Sequence, residues 1–327
     1  MSNNGVFVIS LDFEMFWGVH HTHFVNRYLK NLESTPRVIP RLLQTFERYD
    51  VHATWAIVGL LFNKSFSQAT SQLPAELPTY NNPELNPFRH LNDDARPPED
   101  ICFAPKLVQS ILQTPHQELA SHTYSHFFCL EPGQTASQFE ADLIMAKSKL
   151  QEVGQDMRTL VFPVNQLNPD YLPVLQKLGI ASYRGNPDSW LYKAVDEKQE
   201  FLFRRMIRLM DSYFNFSGYH GYDQKSLTEG ALTNIPASFF LRPFSPRLKF
   251  LENLRFRRIE KAMTHAAKNN LVFHLWWHPH NFGNNTDHNF QFLNRILDHF
   301  QMLNQKYQMQ SMNMLELTQR LGNEEPK

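Results

Sequence analysis

Val6-Phe7-Val8-Ile9-Ser10 is a short, largely β-branched apolar run, and it predicts a buried strand. Thr54-Trp55-Ala56-Ile57-Val58, Glu118-Leu119-Ala120-Ser121, Leu160-Val161-Phe162, Ile180-Ala181-Ser182-Tyr183 and Leu271-Val272-Phe273-His274-Leu275 repeat that pattern along the chain. Between them the period changes. Val38, Ile39, Leu42, Leu43 and Phe46 recur at helical spacing after Pro36, and further helices are expected over 137–153, 169–178, 248–269 and 290–300, with a last strand-helix pair to finish. Strands alternating with helices predict a parallel sheet or an α/β barrel. Residues from about 64 to 100 are rich in Pro, Asn and Ser without a period, and read as a long loop insertion. Residues 186–246 carry scattered aromatics and read as irregular with short elements. With no repeat, linker or low-complexity tract, one domain over 1–327 is the economical organisation.

Composition narrows the function classes. Hydrophobic residues make up 42% and charged residues 20%, a globular balance. Lys+Arg and Asp+Glu are equal at 32 each, which gives no electrostatic footprint for nucleic acid. Two cysteines make no disulfide framework. The start, MSNNGVFVISLDFE, lacks a basic n-region, and its apolar run is one strand long. No run approaches the ~20 apolar residues of a membrane span. The expectation is a soluble, cytoplasmic protein with no nucleic-acid partner; its oligomeric state is left open.

The polar residues of interest follow strands directly, where α/β barrels build their active sites. In Ser10-Leu11-Asp12-Phe13-Glu14, two carboxylates stand two apart and can face one site, one as metal ligand and the other as base. A turn with two solvated acids is the plain alternative. In Ser121-His122-Thr123-Tyr124-Ser125-His126, a His-x3-His pair presents both rings on one face of a helical turn and suits a zinc-like ion. The chain has 15 histidines, so two unrelated surface rings remain the alternative. Phe162-Pro163-Val164-Asn165-Gln166 reads equally as a site loop or as a simple strand exit. In His274-Leu275-Trp276-Trp277-His278-Pro279-His280-Asn281-Phe282-Gly283 the aromatics offer platforms for sugar rings and a His can act as an acid. Trp17, Trp276 and Trp277 are stacking candidates, with core packing as their default. Arg184-Gly185 adds a cation.

Taken together, SLDFE, ELASHTYSH, FPVNQ, LGIASYRG and WWHPHNFG, in this order from about Val6 to Gly283, resemble the motif series of the polysaccharide deacetylase (NodB-homology, carbohydrate esterase family 4-like) family. The likeness is greatest to members of the surface-polysaccharide biosynthesis type. The resemblance implies an irregular, TIM-like (β/α) barrel of about seven strands. It also implies one divalent metal ion, zinc first and cobalt, nickel or iron as alternatives, and an acetylated sugar or glycan as substrate. By position, Asp12 resembles the catalytic base, Glu14 the metal carboxylate, His122 and His126 the histidine ligands, and His278 or His280 the general acid. Trp17, Asn165, Arg184 and Trp277 are the expected substrate contacts. One departure stands out: the family usually has a basic residue where this chain has Val164, and Arg184 is the candidate to supply that charge. Relatives of the fold hydrolyse cyclic amides or imides, and a non-catalytic glycan binder is the rival from another class.

Overall fold

The computed structural model describes residues 4–22, 25–92, 96–196 and 201–322. Its frame is one sheet of ten strands: β1 (Val6–Phe13), β2 (Ala53–Ile57), β3 (Gln117–Ser121), β4 (Thr159–Val161), β5 (Ser182–Arg184), β6 (Thr228–Glu229), β7 (Leu232–Asn234), β8 (Phe239–Phe240), β9 (Val272–Trp277) and β10 (Gln310–Ser311). The order is β6-β7-β5-β4-β3-β2-β1-β9-β8, with β10 beside β1. Every pairing is parallel except β6 with β7.

The sheet curls. Residues 232–241 hydrogen-bond to β5 on one side, through Ile235 N–H to the Tyr183 carbonyl. They bond to β9 on the other, through Ser238 N–H to the His274 carbonyl and Leu241 N–H to the Trp276 carbonyl. The expected barrel is present. Its strands exceed the expected seven because β6 and β10 are two-residue additions and the 232–241 run divides into β7 and β8.

Strand parity sets what faces what. In β1, Phe7, Ile9, Leu11 and Phe13 join the main core under the helices, while Val6 and Val8 pack with Ile235, Val272 and Met314 inside the barrel. Ser10 and Asp12 continue the inward column. Both faces of β1 are buried, which is why its sequence reads as a continuous apolar run. In β9, Val272, His274 and Trp276 point inward, while Phe273, Leu275 and Trp277 pack into the outer core.

Three local expectations change. The first helix begins at Val25 and runs to Tyr49 with Pro36 and Pro40 inside it. Proline cannot donate to the preceding turn. The Leu32 and Pro36 carbonyls thereby lose their usual intrahelical donors, and the helix continues through both prolines. The supposed insertion is ordered: short helices at Phe66–Ser71, Pro83–Leu85, Pro87–Leu91 and Glu99–Cys102 bury Tyr80, Leu85, Phe88 and Leu91. Its residues 93–95 lie outside the described set. The stretch expected to be irregular contains a helix at Leu202–Asp211. Its Leu202, Phe203, Met206 and Met210 recur at helical spacing, yet they are exposed, so the period is present without a buried face.

Candidate active site and metal centre

Four strand exits meet at the C-terminal mouth of the barrel. β1 brings Asp12 and, one residue past its end, Glu14. β3 brings His122, with His126 on the loop beyond. β5 brings Arg184, and β9 leads to His278.

Glu14, His122 and His126 offer ligand atoms that all lie within 4.8 Å of one another, and all three residues are buried. Glu14 Oε2 is 3.1 Å from His126 Nε2 and 3.4 Å from His122 Nε2. His122 donates its Nδ1–H to the Val161 carbonyl at 2.9 Å, which leaves the lone pair of Nε2 facing the Glu14 carboxylate. That Nε2 has no hydrogen-bond partner, nor has Nδ1 of His126. A buried lone pair aimed at a carboxylate is unfavourable unless a cation lies between them. Two imidazoles and one carboxylate therefore fit a borderline divalent ion such as zinc, cobalt, nickel or iron(II).

The His-x3-His segment is not the helical turn its spacing suggested. Thr123 and His126 have left-handed backbone, at φ 61° and 59°, so the chain doubles back after β3 and returns His126 to the side of His122. Asp142, buried in the helix Ala136–Glu152, clamps this loop. It accepts from Tyr124 N–H at 2.6 Å and from the Ser125 N–H and hydroxyl. Burial pushes its carboxyl up to about 6, against the pull of those donors. On the other flank, Gly59 and Leu60 N–H donate to the Thr123 and Tyr124 carbonyls at 2.9 Å each. A Cβ at Gly59 would lie 2.6 Å from the Tyr124 ring and 2.9 Å from its Cα. At Gly18 a Cβ would lie 2.1 Å from the Glu14 carboxyl carbon, so Glu14 reaches its place across a residue that has no side chain.

Asp12 stands beside the triad in a fixed pose. Arg184 grips it with two bonds of 2.7 Å, Nη1 to Oδ1 and Nη2 to Oδ2. Nη1 also donates to Ser10 Oγ and Nη2 to Asn165 Oδ1, each at 3.0 Å. Trp276 covers the guanidinium at 4.2 Å. Ser10 Oγ is 2.8 Å from His274 Nε2, and His274 Nδ1 is 3.2 Å from the Ile235 carbonyl. Burial and the nearby Arg184 push His274 down to about 3, so it is neutral: Nδ1–H donates to Ile235 and Nε2 accepts from the serine. Burial alone would raise the Asp12 carboxyl, but Arg184, with His122 and His278, holds it below the ordinary range. Glu14 is likewise held well below that range, with His278, His122 and His126 outweighing its burial. His278 Nε2 lies 3.4 Å from Glu14 Oε1 and 3.9 Å from Asp12 Oδ2, and its side chain is partly exposed at the mouth.

Residues 27–183 match the polysaccharide deacetylase family. The whole chain superimposes on a Mycobacterium smegmatis protein assigned to the polysaccharide deacetylases, at TM-score 0.60 and 14% identity, covering 100% of this chain and 94% of that one. Residues 27–183 are thus a polysaccharide deacetylase domain. A Pseudomonas aeruginosa PAO1 protein assigned to the same group matches at TM-score 0.57 and 12% identity over 99% of this chain and 93% of its own. The Puue allantoinase matches at TM-score 0.57 and 10% identity over 100% and 93%. At these identities the likeness is one of fold. No curated protein matches the sequence.

The barrel mouth brings together Asp12, Glu14, His122, His126, Asn165, Arg184 and His278, of which His122, His126 and Asn165 lie in the matched segment. Three expected site residues fall elsewhere. Trp17 is fully buried and donates its Nε1–H to the Cys102 carbonyl. Trp277 points outward by strand parity and packs against Phe46 and Phe282. Neither has a ring face left for a sugar. His280 is buried behind His278, with ring centroids 5.3 Å apart. Burial, then His278, pushes it down to about 4, so it carries no proton to donate near neutrality. Asn165 and Arg184 stand at the site, where Arg184 gives Nη1 and Nη2 to Asp12, Ser10 and Asn165 Oδ1. Val164 is 55% exposed and turned away, at φ 55°. The cation missing from that position comes from Arg184. Sequence reasoning missed Asp142, Ser10 and His274. Only Ser10 and His274 carried a signal, as inward-parity polar residues within apolar strands.

Proposed function

We propose that this protein is a metal-dependent hydrolase that removes an acetyl group from an amino sugar or glycan. One observation carries the reading: the buried Glu14-His122-His126 triad, with His122 Nε2 unpartnered, lies beside an Asp12 clamped by Arg184. The chemistry that a divalent ion supplies in such a setting is Lewis-acid activation of water and of an acyl oxygen. Glu14, His122 and His126 would hold it.

Asp12 is kept ionised and aligned by Arg184, and its carboxylate accepts the proton of the attacking water. His278, at the open side of the two carboxylates, donates a proton to the departing nitrogen or oxygen of the sugar. Arg184 holds Asp12 in position, backed by Ser10, His274 and Asn165 Oδ1. Val164 in place of a basic residue speaks for a non-catalytic glycan binder, and the cation that Arg184 gives Asp12 favours the hydrolase. A second reading, hydrolysis of a cyclic amide, draws on the equal fold likeness to an allantoinase.

The test is acetate release from N- and O-acetylated sugars by metal-stripped and zinc-restored protein. Restored release is expected, lost in His122→Ala together with the metal, and lost in Asp12→Asn with the metal retained. Ring opening of cyclic amides without acetate release would replace the deacetylase reading by the second one. Neither activity in zinc-loaded protein would overturn both.

A further inference from the structure

At the opposite end of the barrel, four titratable residues from three chain segments converge. Asp50 follows the helix Val25–Tyr49, His52 precedes β2, His116 precedes β3, and Glu316 lies in the helix Met314–Gly322. None has a part in the chemistry above. The His52 and His116 rings stack face to face, with centroids 3.9 Å apart and planes within 3°. Both turn Nδ1 toward one carboxylate: His52 Nδ1 is 2.6 Å from Glu316 Oε2, and His116 Nδ1 is 4.0 Å from Oε1. A ring that gives its Nδ1–H to a carboxylate carries its free lone pair on Nε2. His52 Nε2 faces Asp50 Oδ1 at 4.0 Å. Ligand atoms of Asp50, His52 and His116 lie within 4.8 Å of one another.

We propose that Asp50, His52 and His116 form a second divalent-metal site, with Glu316 as the carboxylate that orients the two imidazoles. Three features beyond proximity favour it. The carboxylate-histidine arrangement is the one that fixes metal-binding tautomers. Asp50 and His116 both adopt left-handed backbone, at φ 51° and 64°, a conformation that few non-glycine residues take and that here turns both side chains to one place. Asp50, His52 and Glu316 also line a cleft of about 500 Å³ with Tyr49, Gln310 and Ser311, so an ion has a way in.

Two nitrogens and one carboxylate select a borderline ion, zinc, copper or nickel, over calcium or magnesium. Two nitrogens on a tetrahedral ion with bonds of about 2.0 Å stand roughly 3.3 Å apart with their lone pairs converging, so the parallel rings must splay apart at their far edges to bind one ion. The ion would cross-link the entrances of β2 and β3. Through Glu316 it would hold the C-terminal helix to the barrel floor, remote from the Glu14 centre.

The experiment uses the full chain, stripped with chelator, dialysed against zinc alone and assayed for bound zinc. The set comprises the wild type, His116→Asn, Asp50→Asn and His122→Ala. Asparagine tolerates left-handed backbone, so the first two substitutions leave the turns intact. Expected are about two equivalents in the wild type and about one in each variant, with none in His122→Ala/His116→Asn. Acetate release should be unchanged in His116→Asn. Wild-type zinc in both His116→Asn and Asp50→Asn would overturn the second site. A zinc loss caused only by His116→Asn and Asp50→Asn would support it while removing the catalytic centre instead.

Discussion

Arg184 holds Asp12 by two parallel hydrogen bonds of 2.7 Å, although their strands, β5 and β1, are not neighbours in the sheet. The guanidinium reaches across the barrel interior, and both side chains are almost completely buried. A buried ion pair of this geometry is costly to break, because the survivor is left as an unpaired charge.

Arg184→Ala is therefore expected to destabilise the protein by about 3–5 kcal/mol. Arg184→Lys is the sharper variant. It keeps the charge but loses the two-pronged grip. Acetate release should fall about 100-fold or more with zinc content unchanged. Denaturant unfolding and kinetics on the zinc-loaded protein check both. A lysine variant with wild-type turnover would mean that charge alone suffices.

Gly18→Ala tests the placement of Glu14. The new methyl group occupies the space through which the Glu14 side chain passes. Zinc affinity should drop at least tenfold while the fold is retained, with acetate release restored in part by excess zinc. Unchanged affinity would show that Glu14 reaches the centre by another path.

The two candidate acids separate by substitution. His278→Ala should lower kcat by about 10²–10⁴-fold, the range of a lost general acid. His280→Ala should affect stability more than kcat, since its ring is buried and low in pKa. Equal losses of kcat in both variants would return His280 to the reaction.

Asp142 gives a pH signature. Its folded-state value, about 6, lies above the ordinary 3.8. A raised value means the contribution to stability is fully present below 3.8 and is lost as pH rises through 6. The span corresponds to about 3 kcal/mol. Asp142→Asn, which cannot ionise, should remove that slope. The stability difference between wild type and variant, followed from pH 4 to 7, should shift toward the variant as pH rises. A constant difference would mean that Asp142 titrates normally.

The alternation of strands and helices was legible in the sequence because each strand is buried on both faces and so reads as a short apolar run. The motifs at strand exits were legible for a related reason: a polar cluster directly after such a run has few structural uses. Asp12, Glu14, His122, His126 and the His278/His280 pair stood out in that way, and the family resemblance suggested their roles. What the linear pattern could not decide was parity and closure. Trp276 and Trp277 are adjacent and chemically alike. Only the register of β9 in the curled sheet turns Trp276 inward over Arg184 and sends Trp277 into the outer core. The return of His126 depends on the left-handed backbone at Thr123 and His126 and on Asp142 packed from a later helix. The replacement of a basic residue at 164 by Arg184 exists only because the barrel brings β5 to face β1 across its interior. Local propensity and burial are written into short stretches of chain. Contacts between segments far apart in sequence depend on the closed sheet, and there the tertiary structure alone decides.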